Sequence, residues 1–255
     1  HLLSRRQRQM CIRDRINRGK RIMKKNVLID LGNTLIYNRK IDFKAGYEYL
    51  FFELKDIKLP INAFLEYVDA LFERLYSTRN IDNIEIPFTV FLSTLIHELN
   101  LQTSLSLERL EQRFYDKAII DEPIVGVVEF LSYLKKQQVD IYVISNSMFS
   151  SSCLAHTLNQ FEMLRYIKHV YSSADIGYRK PSHLFFDTIK DLKNIDKKDT
   201  IMIGNDYYFD FEFAKSIQVD FLWYNENNEE KLSSDFCYMT KSYIDLINEW
   251  SEKFD

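Results

Sequence analysis

The chain has 255 residues, 46% of them apolar, with a net charge of −3 and only 6 Gly and 4 Pro. That composition excludes a linker, a low-complexity array or a fibre, and leaves length for one large or two modest folded domains. No run of 18 apolar residues occurs, so a membrane span is not expected. Residues 1–22 stand apart, with eight Lys/Arg against one Asp, a local charge of +7 that leaves −10 for residues 23–255. They contain no apolar stretch of the secretory type. Their RRQRQMCIRDR run is similar to translated adapter sequence, so they are expected to be a cloning or assembly remnant, with the folded protein starting at Met23. The acidic remainder is a poor match to a nucleic-acid backbone. With Cys11 in the leader, Cys153 and Cys237 form no CxxC or Cys/His cluster, which points away from zinc or a disulfide framework and towards a reducing, cytoplasmic setting.

The first structural signal is Asn26-Val27-Leu28-Ile29-Asp30-Leu31-Gly32-Asn33-Thr34, a short apolar run ending in an aspartate and a glycine turn. Such a run reads as a buried parallel strand. Asp30 then sits at its carboxyl end, where open α/β sheets bind ligands. Asp30 as a helix or turn cap is the competing reading.

Residues 41–120 read as helical, with helices near 43–56, 61–78, 87–100 and 107–119. Phe64, Val68, Leu71 and Leu75 lie on one face. Pro60, Pro87 and Pro123 fall where helices can begin. This region is expected to be a helical insertion with its own small core.

From 124 onward strands alternate with helices. Val127, Phe130, Leu131 and Leu134 mark a helix; strands follow at 140–145, 169–172, 200–204 and 219–223, and helices near 149–160, 182–192, 210–217 and 240–250. That alternation implies right-handed crossovers and a mostly parallel, Rossmann-like doubly wound α/β sheet. The core domain is then 23–40 together with 121–255, interrupted by a cap at 41–120.

Parallel strands deliver their ends to one edge. Asp30, Ser145-Asn146, the segment Gly177-Tyr178-Arg179-Lys180-Pro181 and the segment Gly204-Asn205-Asp206-Tyr207-Tyr208-Phe209-Asp210 would therefore converge. Singly, each has an ordinary reading as a cap, a loop charge or a turn residue; their joint occurrence is the signal.

In this order the segments resemble the haloacid dehalogenase-like (HAD) hydrolase superfamily, in the branch whose helical cap lies between the first two motifs. Asp30 and Thr34 match D-x-D-x-T with Gly32 replacing the central acid. Ser145 matches the second motif, Lys180 in G-Y-R-K-P the third, and Asp206 with Asp210 the acidic fourth.

The resemblance implies a Mg2+-dependent phosphatase of a small phosphorylated metabolite, with Asp30 as the nucleophile forming an aspartyl-phosphate. It implies Asp30, Ser145 and Lys180 as the catalytic set, and Asn33, Thr34, Ser145, Asn146 and Lys180 about the phosphate, aided by backbone N–H groups after Asp30 and Ser145. Metal ligands would be Asp30, the Gly32 carbonyl, Asp206 and Asp210. The fourth motif has two registers: Asp206 is favoured, while Asn205 falls where many members carry an acid. Gly32 removes the usual general acid–base, worth roughly a hundred- to ten-thousand-fold. It leaves open a good leaving group, a borrowed proton donor such as Tyr37 or Asp42, slow turnover, or a weak or inactive protein that binds a phosphorylated ligand or partner. It argues against a dehalogenase proper, which carries Tyr there. A phospho-aspartate receiver shares the lysine and hydroxyl but not the insertion. The histidines show no metal spacing.

Overall fold

The computed structural model describes residues 23–226 and 237–254; the basic leader lies outside the described residues. Strand β1 (Asn26–Ile29) is followed by β2 (Ile36–Ile41) and by helices α1 (Phe43–Glu53), α2 (Ile61–Tyr76), α3 (Arg79–Asp82), α4 (Phe88–Glu98) and α5 (Leu107–Ala118). Then come β3 (Ile119–Pro123), α6 (Val127–Lys136), β4 (Asp140–Ser145), α7 (Ser151–Gln160), β5 (His169–Ser172), α8 (Ser173–Ile176) and α9 (Leu184–Thr188). The chain closes with β6 (Thr200–Gly204), α10 (Glu212–Ile217), β7 (Asp220–Tyr224), β8 (Cys237–Thr240) and α11 (Tyr243–Phe254).

Six strands form one sheet in the order β5-β4-β1-β6-β7-β8, every neighbouring pair parallel. The strands are apolar nearly throughout because both faces are covered. Val27, Ile29, Ile141, Val143, Ile201 and Ile203 point into one buried cluster, while the alternating Leu28, Tyr142, Ile144 and Met202 point into the other. Ile29 is level with Val143 on one side and Ile203 on the other, so the loops after β1, β4 and β6 leave from one edge.

The helices of residues 43–118 stand on a two-stranded antiparallel ribbon, β2 with β3, which alternation did not reveal because all but one of the β2 side chains are exposed. Pro60 and Pro87 immediately precede α2 and α4; Pro123 instead ends β3. Phe64, Val68 and Leu71 are the buried face of α2. The insertion does not enclose a separate core. Phe149, after β4, packs on Phe88 at 5.3 Å between centroids; Phe88 packs on Phe114 at 4.4 Å, and Phe114 on Tyr47 at 5.5 Å. One apolar cluster therefore runs from the sheet into the helices, and the heavy aromatic content serves that continuity.

Polar contacts tie the same two layers. Phe88 N–H donates to the Met148 carbonyl at 2.7 Å. Glu111 of α5, only 1% exposed, accepts from the Ser150 N–H at 3.0 Å and from the Ser150 hydroxyl. Burial pushes the Glu111 carboxyl upward, against the two Ser150 hydrogen bonds that pull it down. Its folded value therefore exceeds its unfolded one, and stability falls as pH rises between the two, because there the folded state binds the extra proton. Glu111→Gln is expected to flatten that slope in urea denaturation from pH 4.5 upward, whereas Glu111→Ala, which strands the Ser150 N–H, is expected to cost about 1–3 kcal/mol.

Candidate active site

A cavity of about 470 Å³ lies at the carboxyl edge of the sheet, beneath the helices, and is lined by Asp30, Gly32, Asn33, Ser145, Asn146, Lys180, Asn205, Asp206 and Asp210 among others. Its size suits a small ligand. At its floor the Lys180 ammonium, 1% exposed, donates to Asp30 Oδ1 at 2.6 Å, to Asp210 Oδ1 at 2.6 Å and to the Ile144 carbonyl at 2.9 Å. Those three bonds use all three ammonium protons. Burial alone would lower the lysine's pKa, but the carboxylates of Asp210 and Asp30 outweigh it and the net shift is upward. Asp210 moves up to about 7, chiefly through burial and against the pull of Lys180.

Each partner is held locally. Asp30 follows β1 and its N–H donates to the Ile203 carbonyl at 2.9 Å. Asp210 sits in a wide π-type turn, Tyr207–Phe211, a form of backbone found frequently at functional sites. Its second oxygen accepts from the Asp206 N–H at 3.0 Å. A Cβ on Gly204 would meet that carboxylate at 2.2 Å, so only glycine leaves room for it.

The structure brings the expected residues together but redistributes their tasks. Ser145, 5% exposed, lines the cavity, and its hydroxyl makes no side-chain hydrogen bond to another described residue. Asn146 lines the cavity and also accepts from the Lys180 N–H at 2.7 Å and donates to the Lys180 carbonyl at 3.0 Å, clamping that residue's backbone. The Asn33 N–H is spent on the Ile36 carbonyl at 2.7 Å, although its side chain lines the cavity. Thr34 is buried, its hydroxyl 3.3 Å from both Asp30 Oδ2 and Asn205 Oδ1, so it positions those groups and is closed to a phosphate.

The fourth segment also takes the other register. Asn205, not Asp206, shares Thr34 with Asp30. The Asp206 carboxylate caps the turn, accepting from the Phe209 N–H at 2.8 Å, and Asp210 is committed to Lys180. The reason is the extra residue of the π-type turn, which carries Asp210 back over Gly204. Tyr37 donates to Glu122 on the exposed ribbon, and Asp42 caps α1 through the Ala45 N–H at 3.1 Å; neither lines this cavity.

Three contributors were missed in the sequence. Tyr243 of α11, fully buried, donates to the Thr34 carbonyl at 2.7 Å and so braces the loop after β1. Arg179, beside Lys180, pairs with Glu85, and Arg79 of α3 also lines the cavity. Adjacency to Lys180 was the only available signal for Arg179; Arg79 and Tyr243 had none.

A divalent cation can be tested against these donors. Among the described residues no group of three His, Cys, Asp or Glu is arranged to hold one. Mg2+, however, takes hard oxygens from one or two carboxylates, keeps several waters and completes its shell with substrate phosphate. Asp30, the Gly32 carbonyl, the Asn205 amide oxygen and the nearby Asp206 carboxylate are donors of that kind, so the set fits a sparse magnesium site.

A sequence profile described as haloacid dehalogenase-like hydrolase matches residues 58–224. No match was found among curated protein sequences. Among solved structures the chain is similar to a HAD phosphatase from Thermococcus onnurineus, at 15% identity and TM-score 0.60 over 91% of this chain and 100% of that one. It is also similar to a 2-haloacid dehalogenase from Pseudomonas syringae pv. Tomato DC3000, at 16% identity and TM-score 0.61 over 90% and 99%. A third similar structure is the HAD-hydrolase YfnB from Bacillus subtilis bound to magnesium, at 19% identity and TM-score 0.54 over 89% and 98%. These likenesses extend the shared fold across nearly the whole chain.

Lys180→Met would leave Asp30 and Asp210 buried without a counter-charge. It is expected to cost about 3–5 kcal/mol in urea denaturation, and Asp210→Asn in the same chain to recover part of that loss in a double-mutant cycle. With the profile covering more than half the residues and the sheet carrying its motifs to one cavity, the chain belongs to the haloacid dehalogenase-like hydrolase family.

Proposed function

We propose that this hydrolase is a Mg2+-dependent phosphatase of a small phosphorylated metabolite. The observation that carries the reading is the approach of Asp30, the Ser145 hydroxyl and the buried Lys180 ammonium to a single cavity, with Lys180 2.6 Å from Asp30.

The chemistry follows from those groups. A carboxylate oxygen of Asp30, oriented by its hydrogen bond from the Lys180 ammonium, attacks phosphorus as the bond from phosphorus to the leaving oxygen breaks, giving an aspartyl-phosphate. Water then attacks phosphorus and releases inorganic phosphate and the free carboxylate. Ser145 donates to a phosphoryl oxygen. Lys180, its protons all engaged, acts by charge, offsetting the negative charge gathered at Asp30 and the transferring group. The Asn146 clamp and the Thr34 bridge are positioning contacts. Bound magnesium would be held by Asp30, the Gly32 carbonyl and Asn205, with Asp206 nearby, and would supply charge neutralisation of the phosphate.

Gly32 supports slow turnover. Residue 32 carries no acid, and a Cβ built there meets nothing within 4 Å. The same glycine favours a second reading, a protein that binds a phosphorylated ligand without turning it over.

Phosphate release from p-nitrophenyl phosphate is expected with magnesium, and is expected to fall to background with EDTA or in Asp30→Asn. Because the site has room, Gly32→Asp is expected to fold and to raise turnover of substrates with poor leaving groups by roughly a hundred- to ten-thousand-fold. A folded protein that releases no phosphate from a broad phosphomonoester panel, with or without the new acid, would leave the binding reading instead.

A further inference from the structure

The cavity roof is contributed by the helices, and its charged member there is Arg79. The floor cation is already committed, since Lys180 sits between two carboxylates. Arg179 pairs with Glu85. Glu85 is buried and already accepts three hydrogen bonds: Oε2 takes the Ser173 hydroxyl at 2.8 Å and Arg179, while Oε1 takes the Ile86 N–H at 3.2 Å. Arg79 pairs with the same carboxylate only through Nε, 3.5 Å from Oε1, an ion pair longer than a good hydrogen bond. Its guanidinium lies 5.7 Å from the Tyr76 ring centroid, and among the described residues its terminal nitrogens have no hydrogen-bond acceptor. A guanidinium carries five donors in a planar fork that matches a carboxylate edge. Burial and the like charge of Arg179 both disfavour its charged state, against the pull of Glu85, so an added anion would relieve it. Phe43, Phe72, Tyr115, Phe149 and Phe209 line the same cavity, an apolar surface suited to a flat or hydrocarbon skeleton.

We infer that Arg79 is a specificity-determining residue that receives a carboxylate on the substrate, so that the preferred ligand is a phosphomonoester carrying a carboxylate on an apolar skeleton. This inference rests on the phosphatase reading for the other end of the ligand. The phosphate occupies the floor by Asp30 and Ser145, the skeleton runs along the aromatic wall, and the carboxylate meets the fork of Arg79. Charge is matched in the same way: Lys180, Arg179 and Arg79 line the cavity against Asp30, Asp206 and Asp210, and a roof cation draws in a second negative group without crowding the acidic floor.

The test compares phenyl phosphate with its meta- and para-carboxyphenyl counterparts. In parallel, the non-hydrolysable benzylphosphonate and its meta- and para-carboxy derivatives are titrated by calorimetry. At least one carboxylated member of each series is expected to exceed its parent by roughly ten- to a hundredfold, in kcat/KM and in affinity respectively. The ratio is expected to collapse towards one in Arg79→Ala, or in Arg79→Gln should the alanine variant not fold, and to recover in part in Arg79→Lys. Equal treatment of parent and carboxylated probes by the unmodified protein, or a ratio unchanged by loss of the guanidinium, overturns the inference while turnover of phenyl phosphate leaves the phosphatase reading standing. A preference seen in phosphonate binding without any turnover supports the anion receptor and removes the phosphatase. Binding of neither phosphonate, with no turnover, overturns both.

Discussion

The site depends on one buried ammonium. Lys180 lies between Asp30 and Asp210, each at 2.6 Å, with a main-chain carbonyl completing its shell. Two carboxylates so close and so deeply buried would otherwise repel, and burial alone already drives the Asp210 carboxyl upward. The ammonium resolves the conflict only because loops after β1 and β6, and the segment after β5, reach it together, and because Asn146 fixes the Lys180 backbone from the loop after β4. Four separate pieces of chain are therefore locked by one charge, and the attacking oxygen of the proposed reaction is oriented by the same contact.

The helical layer is built as part of the site. Its aromatic residues continue the apolar cluster of the sheet through Phe88 and Phe149, and Glu85 and Glu111 reach down to groups that follow β4 and β5. The buried carboxylates are costly unless satisfied, and both oxygens of each accept a hydrogen bond, so the roof has a defined seat on the floor. That seating brings Arg79 and the aromatic side chains to the same cavity as Asp30, the arrangement on which the proposed division between a phosphoryl floor and a selective roof rests.

Gly32 sets the character of the chemistry. The position that would hold a proton donor is open, the bound ammonium has no proton to lend, and Tyr37 and Asp42 are occupied elsewhere. Under the proposed function, a cradle with its electrostatic parts in place and its acid absent favours good leaving groups or a long-lived acyl phosphate.

Much of this was legible in the residues themselves. The five strands read from the pattern formed because runs such as Val27–Ile29 and Ile201–Ile203 can be satisfied only with both faces covered, and the direction of parallel strands then sends Asp30, Ser145 and the later segments to one edge. The long helices were legible by period, whereas the reading over 182–192 holds only as Leu184–Thr188 and the four-residue helices Arg79–Asp82 and Ser173–Ile176 are too short to show one. What the pattern could not carry was anything set by exposure or by an added residue. The ribbon of β2 and β3 is mostly solvated, and β8 is a four-residue edge strand, so neither bears a strong apolar signature. The π-type turn that exchanges Asp206 for Asn205 is a matter of backbone winding, and no spacing rule distinguishes it from an ordinary first turn. Whether Thr34 and Asn146 brace their neighbours, and which cation of the helices reaches the cavity, depend on contacts between segments distant in the chain, 171 residues for Thr34 with Asn205 and 34 for Asn146 with Lys180. Local chemistry determined which groups arrive at the edge of the sheet; only the packing of distant segments decided what each of them does there.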